Sequence, residues 1–248
     1  MSQLDKVLQV LAAFSEARPV ASAEEIALEL DIPRTTAFRY LSQLCDSGLV
    51  SKQSGRYSLG PRIIQLDFLM RRSDPMLLAA RSVMASLAAA THCSVLLSSL
   101  YGDQILNVHH EAGSDTTVFS YGRGRTLPLF RGAASRVILA HLTPARLRAI
   151  YAQHRGSAEL ADQDWKSFSE ALRQSRRNGH YISQGEVDAG VTGIAVPVFN
   201  ADKLVAGSLS LVFDSEREGL FNTDLLVRML QQGGEAINNA LVDGLHRP

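Results

Sequence analysis

Arg34, Thr35, Thr36, Arg39, Tyr40 and Gln43 lie within ten positions of one another. Their spacing puts them outward on a helix whose other side carries Ala37, Leu41 and Leu44. The outward set combines guanidinium forks, hydroxyls and an amide, which can donate and accept at base edges and reach phosphates. A little further on, Lys52 and Arg56 flank Gln53-Ser54-Gly55, so two cations stand beside a turn tip. A solvated helix face carries the same residue types, and only the surrounding elements separate the two readings. A second chemical cluster is Pro128-Leu-Phe-Arg-Gly-Ala-Ala-Ser135, where small residues lead into a helix. Open amide N–H groups and the positive helix end could receive a carboxylate there. A turn that needs small residues for packing would read the same way.

The elements around the first cluster favour a nucleic-acid role. Ser22 and Glu25 form an S-x-x-E capping box ahead of Ile26, Ala27 and Leu30, and Pro33 fits the first position of the following helix. Upstream, Met1 to Glu16 places Leu4, Val7, Leu8, Leu11 and Phe14 on one stripe, with Ser2 and Asp5 available as caps. Downstream, Gly48 can adopt the left-handed conformation that ends a helix. Leu49 to Leu59 then reads as a hairpin with Val50, Tyr57 and Leu59 facing the helices. Three helices and a basic wing make a winged helix-turn-helix over residues 1–60. Pro61 opens a linker helix carrying Ile63, Ile64, Leu66, Leu69 and Met70, which Arg71-Arg72-Ser73-Asp74-Pro75 interrupts, giving a linker over 61–74.

Bulk properties narrow the function classes. A chain of 248 residues with 46% hydrophobic content suits two soluble domains, and a formal net charge of zero argues against indiscriminate nucleic-acid binding. Positive charge is local: Arg34, Arg39, Lys52 and Arg56 face only Asp46 between positions 34 and 56. Binding to phosphates should therefore be modest without sequence recognition and steeply salt-dependent. Cys45 and Cys93 have no metal or redox spacing and are expected to be buried thiols in a reducing cytoplasm. His109 and His110 point to opposite sides of a strand and suit a structural role better than chelation. No metal or cofactor site is expected. Gly122-Arg-Gly-Arg125 lacks the ending of a P-loop, and no G-x-S-x-G elbow is present, so neither nucleotide nor hydrolase chemistry has support. The start is unlike a signal peptide, and no segment has the roughly 20 apolar residues of a membrane span.

Residues 75–248 read as an α+β domain: a helix after Pro75, a hairpin from Ser94 to Glu111 turning at Gly102-Asp103, and a third strand over Thr116 to Tyr121. A helix follows to Leu142, then helices at Thr143 to Arg155 and Asp162 to Asn178. Strands are expected at Tyr181 to Gln184, Gly193 to Phe199 and Leu204 to Phe213, and a closing helix at Asn222 to Leu245. This pattern favours a sheet covered by helices on one side, with the other face free to shape a pocket. Trp165 and Phe168 suit a surface cover of this domain.

The order of Ser-x-x-Glu helix, Leu30-Asp-Ile-Pro-Arg-Thr-Thr-Ala-Phe-Arg-Tyr-Leu41, Gly48-Leu-Val and Tyr57-Ser-Leu-Gly60 resembles the N-terminal domain of IclR-type bacterial transcriptional regulators. The resemblance continues through Gly185-Glu186, Gly190-Val191, Ile194-Ala-Val-Pro-Val-Phe199 and the strand from Leu204, and so covers nearly the whole chain. It implies a GAF/profilin-like effector-binding domain over 75–248. By motif it places effector contacts at Ala133, Ala134, Ser183, Gly193, Ser210 and Val212. It also implies operator contacts by Ser22, Arg34, Thr35, Thr36, Arg39, Tyr40, Lys52 and Arg56 in a homodimer or homotetramer, joined through the first and linker helices. Ser183 and Ser210 keep hydroxyls, but Gly193 has no side chain and Val212 is apolar. With Phe119, Tyr121 and Phe130 nearby, an organic acid bearing an aromatic or extended apolar part is the expected effector. The competing readings are an enzyme or metabolite-binding module that uses its N-terminal domain for protein contacts, and an architectural DNA binder without an effector.

Overall fold

A computed structural model describes residues 3–114, 119–120, 122–160 and 164–244. The chain forms two compact units, Met1–Asp74 and Pro75–Pro248.

In the first unit, helices α1 (Gln3–Ala12), α2 (Ala23–Glu29) and α3 (Arg34–Asp46) pack over a small sheet of β1 (Val20–Ala21), β2 (Val50–Gln53) and β3 (Arg56–Leu59). Val10, Ala21, Ile26, Leu41, Leu44, Val50 and Tyr57 make its core. The end of α3 is a Schellman closure: Leu49 N–H donates to Leu44 O and Gly48 N–H to Cys45 O, with Gly48 at φ +74°. That closure turns the chain directly into the hairpin. Ser54 and Gly55, at φ +49° and +81°, form its two-residue tip, and both positive angles match the right-handed twist of the paired strands. Helix α4 (Pro61–Ser73) follows and buries none of its residues within the chain.

Several expectations for this unit are corrected. Pro33 is the residue before α3, not its first turn, because its ψ of 140° is extended. Tyr40 is not outward: it is only 3% exposed. It lies three residues after Ala37 and four before Leu44, which places it on the inward stripe. In α1 the core face is centred on Val10, with Val7 and Leu11 packed beside it, and leaves Leu4 and Leu8 exposed on its flank. Leu59 pairs with Val50 at the open end of the hairpin and is exposed. Strand β1, paired with β3 through Val20 and Ala21, is too short to leave a periodic signal.

The second unit is built on one antiparallel sheet of order β6-β5-β4-β9-β8-β7. Its strands are β4 (Ser94–Tyr101), β5 (Gln104–Glu111), β6 (Thr126–Leu127), β7 (Tyr181–Gln184), β8 (Val191–Phe199) and β9 (Val205–Asp214). Both faces are covered, which corrects the one-sided expectation. Ile194, Val196, Leu209, Leu211 and Phe213 meet α5 (Pro75–Thr91) and α9 (Thr223–Gly244) on one side. Ile105 and Ala195 pack with α6 (Ala133–His141), α7 (Pro144–Gln153) and α8 (Trp165–Asn178) on the other. The strict alternation along β8 and β9 makes this possible, because successive side chains enter different cores. The strand expected over 116–121 lies mostly outside the described residues, as does Tyr121. Its described members, Phe119 and Ser120, are not in a strand.

Candidate nucleic-acid interface and ligand pocket

The capping box forms as the sequence requires. Ser22 N–H donates to Glu25 Oε2 at 2.6 Å, and Glu25 N–H donates to Ser22 Oγ at 3.2 Å. The hydrogen bond from the Ser22 backbone, aided by the charge of Arg56, holds the Glu25 carboxyl below the usual carboxylate range. Arg56 Nη2 reaches Glu25 Oε2 and Val20 O, each at 3.2 Å. Arg34 pairs with Glu24 and lies 5.3 Å from the Phe38 ring centre. The wing and the start of α3 are therefore both tied to acids of α2, contacts that the sequence reading missed. The adjacent acids Glu24 and Glu25 at the start of α2 were the available clue.

Arg34, Thr35, Arg39, Lys52 and Arg56 are exposed on this unit, and Ser22 and Thr36 are half-buried. Arg39 and Lys52 have no carboxylate partner among the described residues. Their charges lie 5.2 Å from the Tyr40 ring and 5.5 Å from the Tyr57 ring, respectively. Buried Tyr40 thus has a definite part beneath the surface, as the platform on which the Arg39 fork rests.

In the second unit, Ala133, Ala134, Ser183, Gly193, Ser210 and Val212 line one cavity of about 70 Å³ between the start of α6 and the sheet. Strand register explains their meeting. Ser183 pairs with Gly193, and Gly193 pairs with Val212, so the three form a row across β7, β8 and β9. Ser210, two residues before Val212, shares that face. A Cβ at Gly193 would lie 3.1 Å from Ser183 Oγ and 3.5 Å from Ala133 Cβ, so glycine keeps this floor open.

The amides at the start of α6 are partly occupied. Gly132 N–H donates to Glu186 Oε2 at 2.8 Å, and Ala133 N–H donates to Ser183 Oγ at 3.2 Å. This corrects the expectation that Ala133 offers an open amide; Ala134 and Ser135 supply the remaining donors of the first turn. Ser210 Oγ is buried and has no hydrogen-bond partner among the described residues. Ser183 retains its own hydroxyl proton. Two amides and two hydroxyls can therefore converge on a single anion.

Leu96, Leu127, Val187 and Val191 supply apolar walls, with Arg131 and Asp188 among the polar lining groups. Spacing had not identified these residues, because they come from three separate stretches of the chain. Tyr181 hydroxyl donates to Glu186 Oε1 at 2.9 Å, and Asp188 Oδ2 accepts from Ser120 N–H at 2.7 Å. Burial and the Glu186 charge push the Tyr181 phenol up, which keeps it protonated as that donor. Of the aromatic residues expected beside the acid, Phe119 lines the cavity, whereas Phe130 does not: it is buried among Phe168 and His154.

His109 lies 3.5 Å from Glu111, whereas His110 contacts Ser94 Oγ at 3.3 Å. Burial pushes the His110 imidazole pKa down. Among the described residues no three His, Cys, Asp or Glu side chains assemble as a metal site, and no helix is long and apolar enough to cross a membrane.

Comparison with known proteins gives two family matches: "IclR helix-turn-helix domain" over residues 3–54 and "Bacterial transcriptional regulator IclR C-terminal" over 72–239. The HTH-type transcriptional regulator XynR of Escherichia coli is 25% identical, with 97% of each chain covered. The Pca regulon regulatory protein of Pseudomonas putida is 25% identical over 85% of this chain and 74% of its own. Among solved structures, an IclR homologue from Microbacterium hydrocarbonoxydans complexed with 4-hydroxybenzoate has a TM-score of 0.78. It is 22% identical, with 97% of this chain and 99% of that chain covered.

Proposed function

The chain belongs to the IclR family of bacterial transcriptional regulators, and from that premise we propose that a small carboxylic acid controls its binding to operator DNA. It is a transcriptional regulator rather than an enzyme. In the proposed reading α3 enters the major groove, with Arg34, Thr35, Thr36 and Arg39 at base edges and phosphates. Ser22, Lys52 and Arg56 hold the adjacent backbone. Arg34 and Arg56 exchange their α2 carboxylates for phosphates on binding. One such unit covers a half-site, so the reading requires at least a homodimer. Exposed Leu4 and Leu8 on α1, with Ile64, Leu66, Phe68, Leu69 and Met70 on α4, offer apolar surface for pairing, in a dimer or a dimer of dimers. Operator binding places the protein in the cytoplasm, and the domain limits we assign are 1–60, 61–74 and 75–248.

The observation that carries the effector reading is the buried Ser210 hydroxyl, without a partner among the described residues, beside the Ala134 and Ser135 amides at a helix N-terminus. A carboxylate satisfies all of these donors at once. The apolar walls, with Phe119 among the lining residues, suit a monocarboxylate with an apolar body. Because a ligand shifts an equilibrium only by its differential affinity, the acid must bind DNA-competent and incompetent forms unequally.

Titration calorimetry with short-chain monocarboxylates and their amides tests this. Acids are expected to bind and amides not to, with binding lost in Ser210→Val. Equal binding of acid and amide, or acid binding that survives Ser210→Val, would overturn the assignment.

A further inference from the structure

A second concave site lies in the same unit, on the side of α6 away from its N-terminus. Leu142, Leu147, Trp165 and Leu172 form the apolar floor of a cleft of about 320 Å³ between α7 and α8, and Arg148 and Arg176 stand at its edge. The floor is fixed by aromatic packing. Trp165 meets Tyr151 edge to face at 5.1 Å between ring centres, and Tyr151 stacks on buried Phe168 at 5.4 Å. Arg148 lies 5.6 Å from the Trp165 ring centre.

The charges in this cleft are only partly neutralised. Arg173, also in the lining, is held by Glu170 at 3.2 Å and by Ser169, and Glu170 additionally faces Arg177 at 3.6 Å. Arg148 and Arg176 have no carboxylate partner among the described residues. They come from two different helices and border the same apolar floor. Small-molecule sites have this composition, with mostly apolar walls, a few convergent polar groups and a volume of about 300–1,000 Å³. Guanidinium groups match a planar carboxylate in geometry and charge.

We propose that this cleft is a second ligand site, taking an organic carboxylate whose compact apolar body sits on Trp165 and Leu172. Its head group is held by Arg148 and Arg176. The cleft is roomier than the cavity at the start of α6 and accepts a ring-sized body. Helix α6 lines both sites, through Ala133 and Ala134 at one end and Ala140 at the other. Six residues of helix, about 9 Å at 1.5 Å per residue, separate Ala134 from Ala140.

Trp165 is the single tryptophan of the chain, so its emission reports on this cleft. Cyclohexanecarboxylate, which does not absorb in the indole region, is the probe for the full-length protein. A saturable blue shift of Trp165 emission is expected with the acid and not with cyclohexanecarboxamide. Arg148→Ala and Arg176→Ala should each weaken it by about tenfold or more, since each removes a charge-assisted hydrogen bond. Ser210→Val should leave the titration unchanged, which separates this site from the first cavity.

No saturable shift, an equal shift with the amide, or a shift that survives the Arg148→Ala/Arg176→Ala double variant would overturn the proposal. So would a shift abolished by Ser210→Val alone. Iodide quenching of Trp165 emission that strengthens when the protein is diluted to smaller oligomers, showing that a second copy of the chain covers the cleft before any acid is added, would overturn it as well.

Discussion

Arg39→Ala is expected to weaken operator binding by about 1–3 kcal/mol, on the order of tenfold to a hundredfold, if the guanidinium reads a base through two hydrogen bonds. Arg39 is the appropriate position because its cation is not committed elsewhere. Arg34 must leave Glu24 and Arg56 must leave Glu25, so their net gains on DNA are reduced by the pairs they lose. Those exposed pairs are worth little in water, which lowers the contribution of Arg34 and Arg56 without cancelling it. Arg39 rests on Tyr40, whose burial fixes the platform. A gel-shift titration measures the effect, and unchanged operator affinity removes Arg39 from the interface. Lys52→Ala should behave differently, weakening all sequences alike and flattening the salt dependence by about one phosphate contact.

The second large effect is expected from Gly193→Val. Even a single Cβ at Gly193 meets Ser183 Oγ at 3.1 Å and Ala133 Cβ at 3.5 Å, and valine adds two methyl groups to a cavity of about 70 Å³. The substitution should displace the Ser183 hydroxyl from the Ala133 amide and fill the space for the acid, abolishing acid binding. Operator binding should persist, because the first unit has its own core and contains every proposed DNA contact. Overpacking can also destabilise the second unit, by typically 1–3 kcal/mol. Ser210→Val, smaller in volume change, provides the check: it should also lose the acid while retaining the native unfolding transition. Acid binding of wild-type strength in both variants would exclude the cavity as the effector site.

Much of the DNA-binding unit was legible because its signals are local. A capping box, a glycine in the left-handed region after α3 and a two-residue hairpin tip each fix backbone within a few positions. Tyr40 was misplaced because a tyrosine on the edge of an apolar stripe reads equally as a polar surface group; burial of its ring decided the matter. Leu4 and Leu8 fit the stripe of α1 yet lie on its flank, since a stripe read from spacing is wider than the face that one neighbour can cover. Strand β1 has two residues and no period to detect.

The cavity was legible in part. Its floor was reached only through the family resemblance, because Ser183, Gly193, Ser210 and Val212 become neighbours through strand register. Residue spacing does not encode that register. The occupancy of the α6 amides was hidden for the same reason: Glu186 and Ser183 are about 50 residues away in the chain. The helix start at Gly132 was visible, but the carboxylate already bound to its first amide was not.

The central claim is that one chain couples sequence-specific DNA binding to a carboxylate bound in the second unit. The most direct test selects binding sequences from a random duplex pool with the full-length protein, then measures affinity for the selected duplex by fluorescence anisotropy with and without short-chain monocarboxylates. A homodimeric, acid-responsive regulator predicts an inverted repeat with half-sites about one helical turn, or a multiple of it, apart. It also predicts an affinity that at least one acid changes several-fold in the wild-type protein and not in Ser210→Val. Failure to enrich any sequence, or an affinity that is the same with and without every acid of the series, would contradict it.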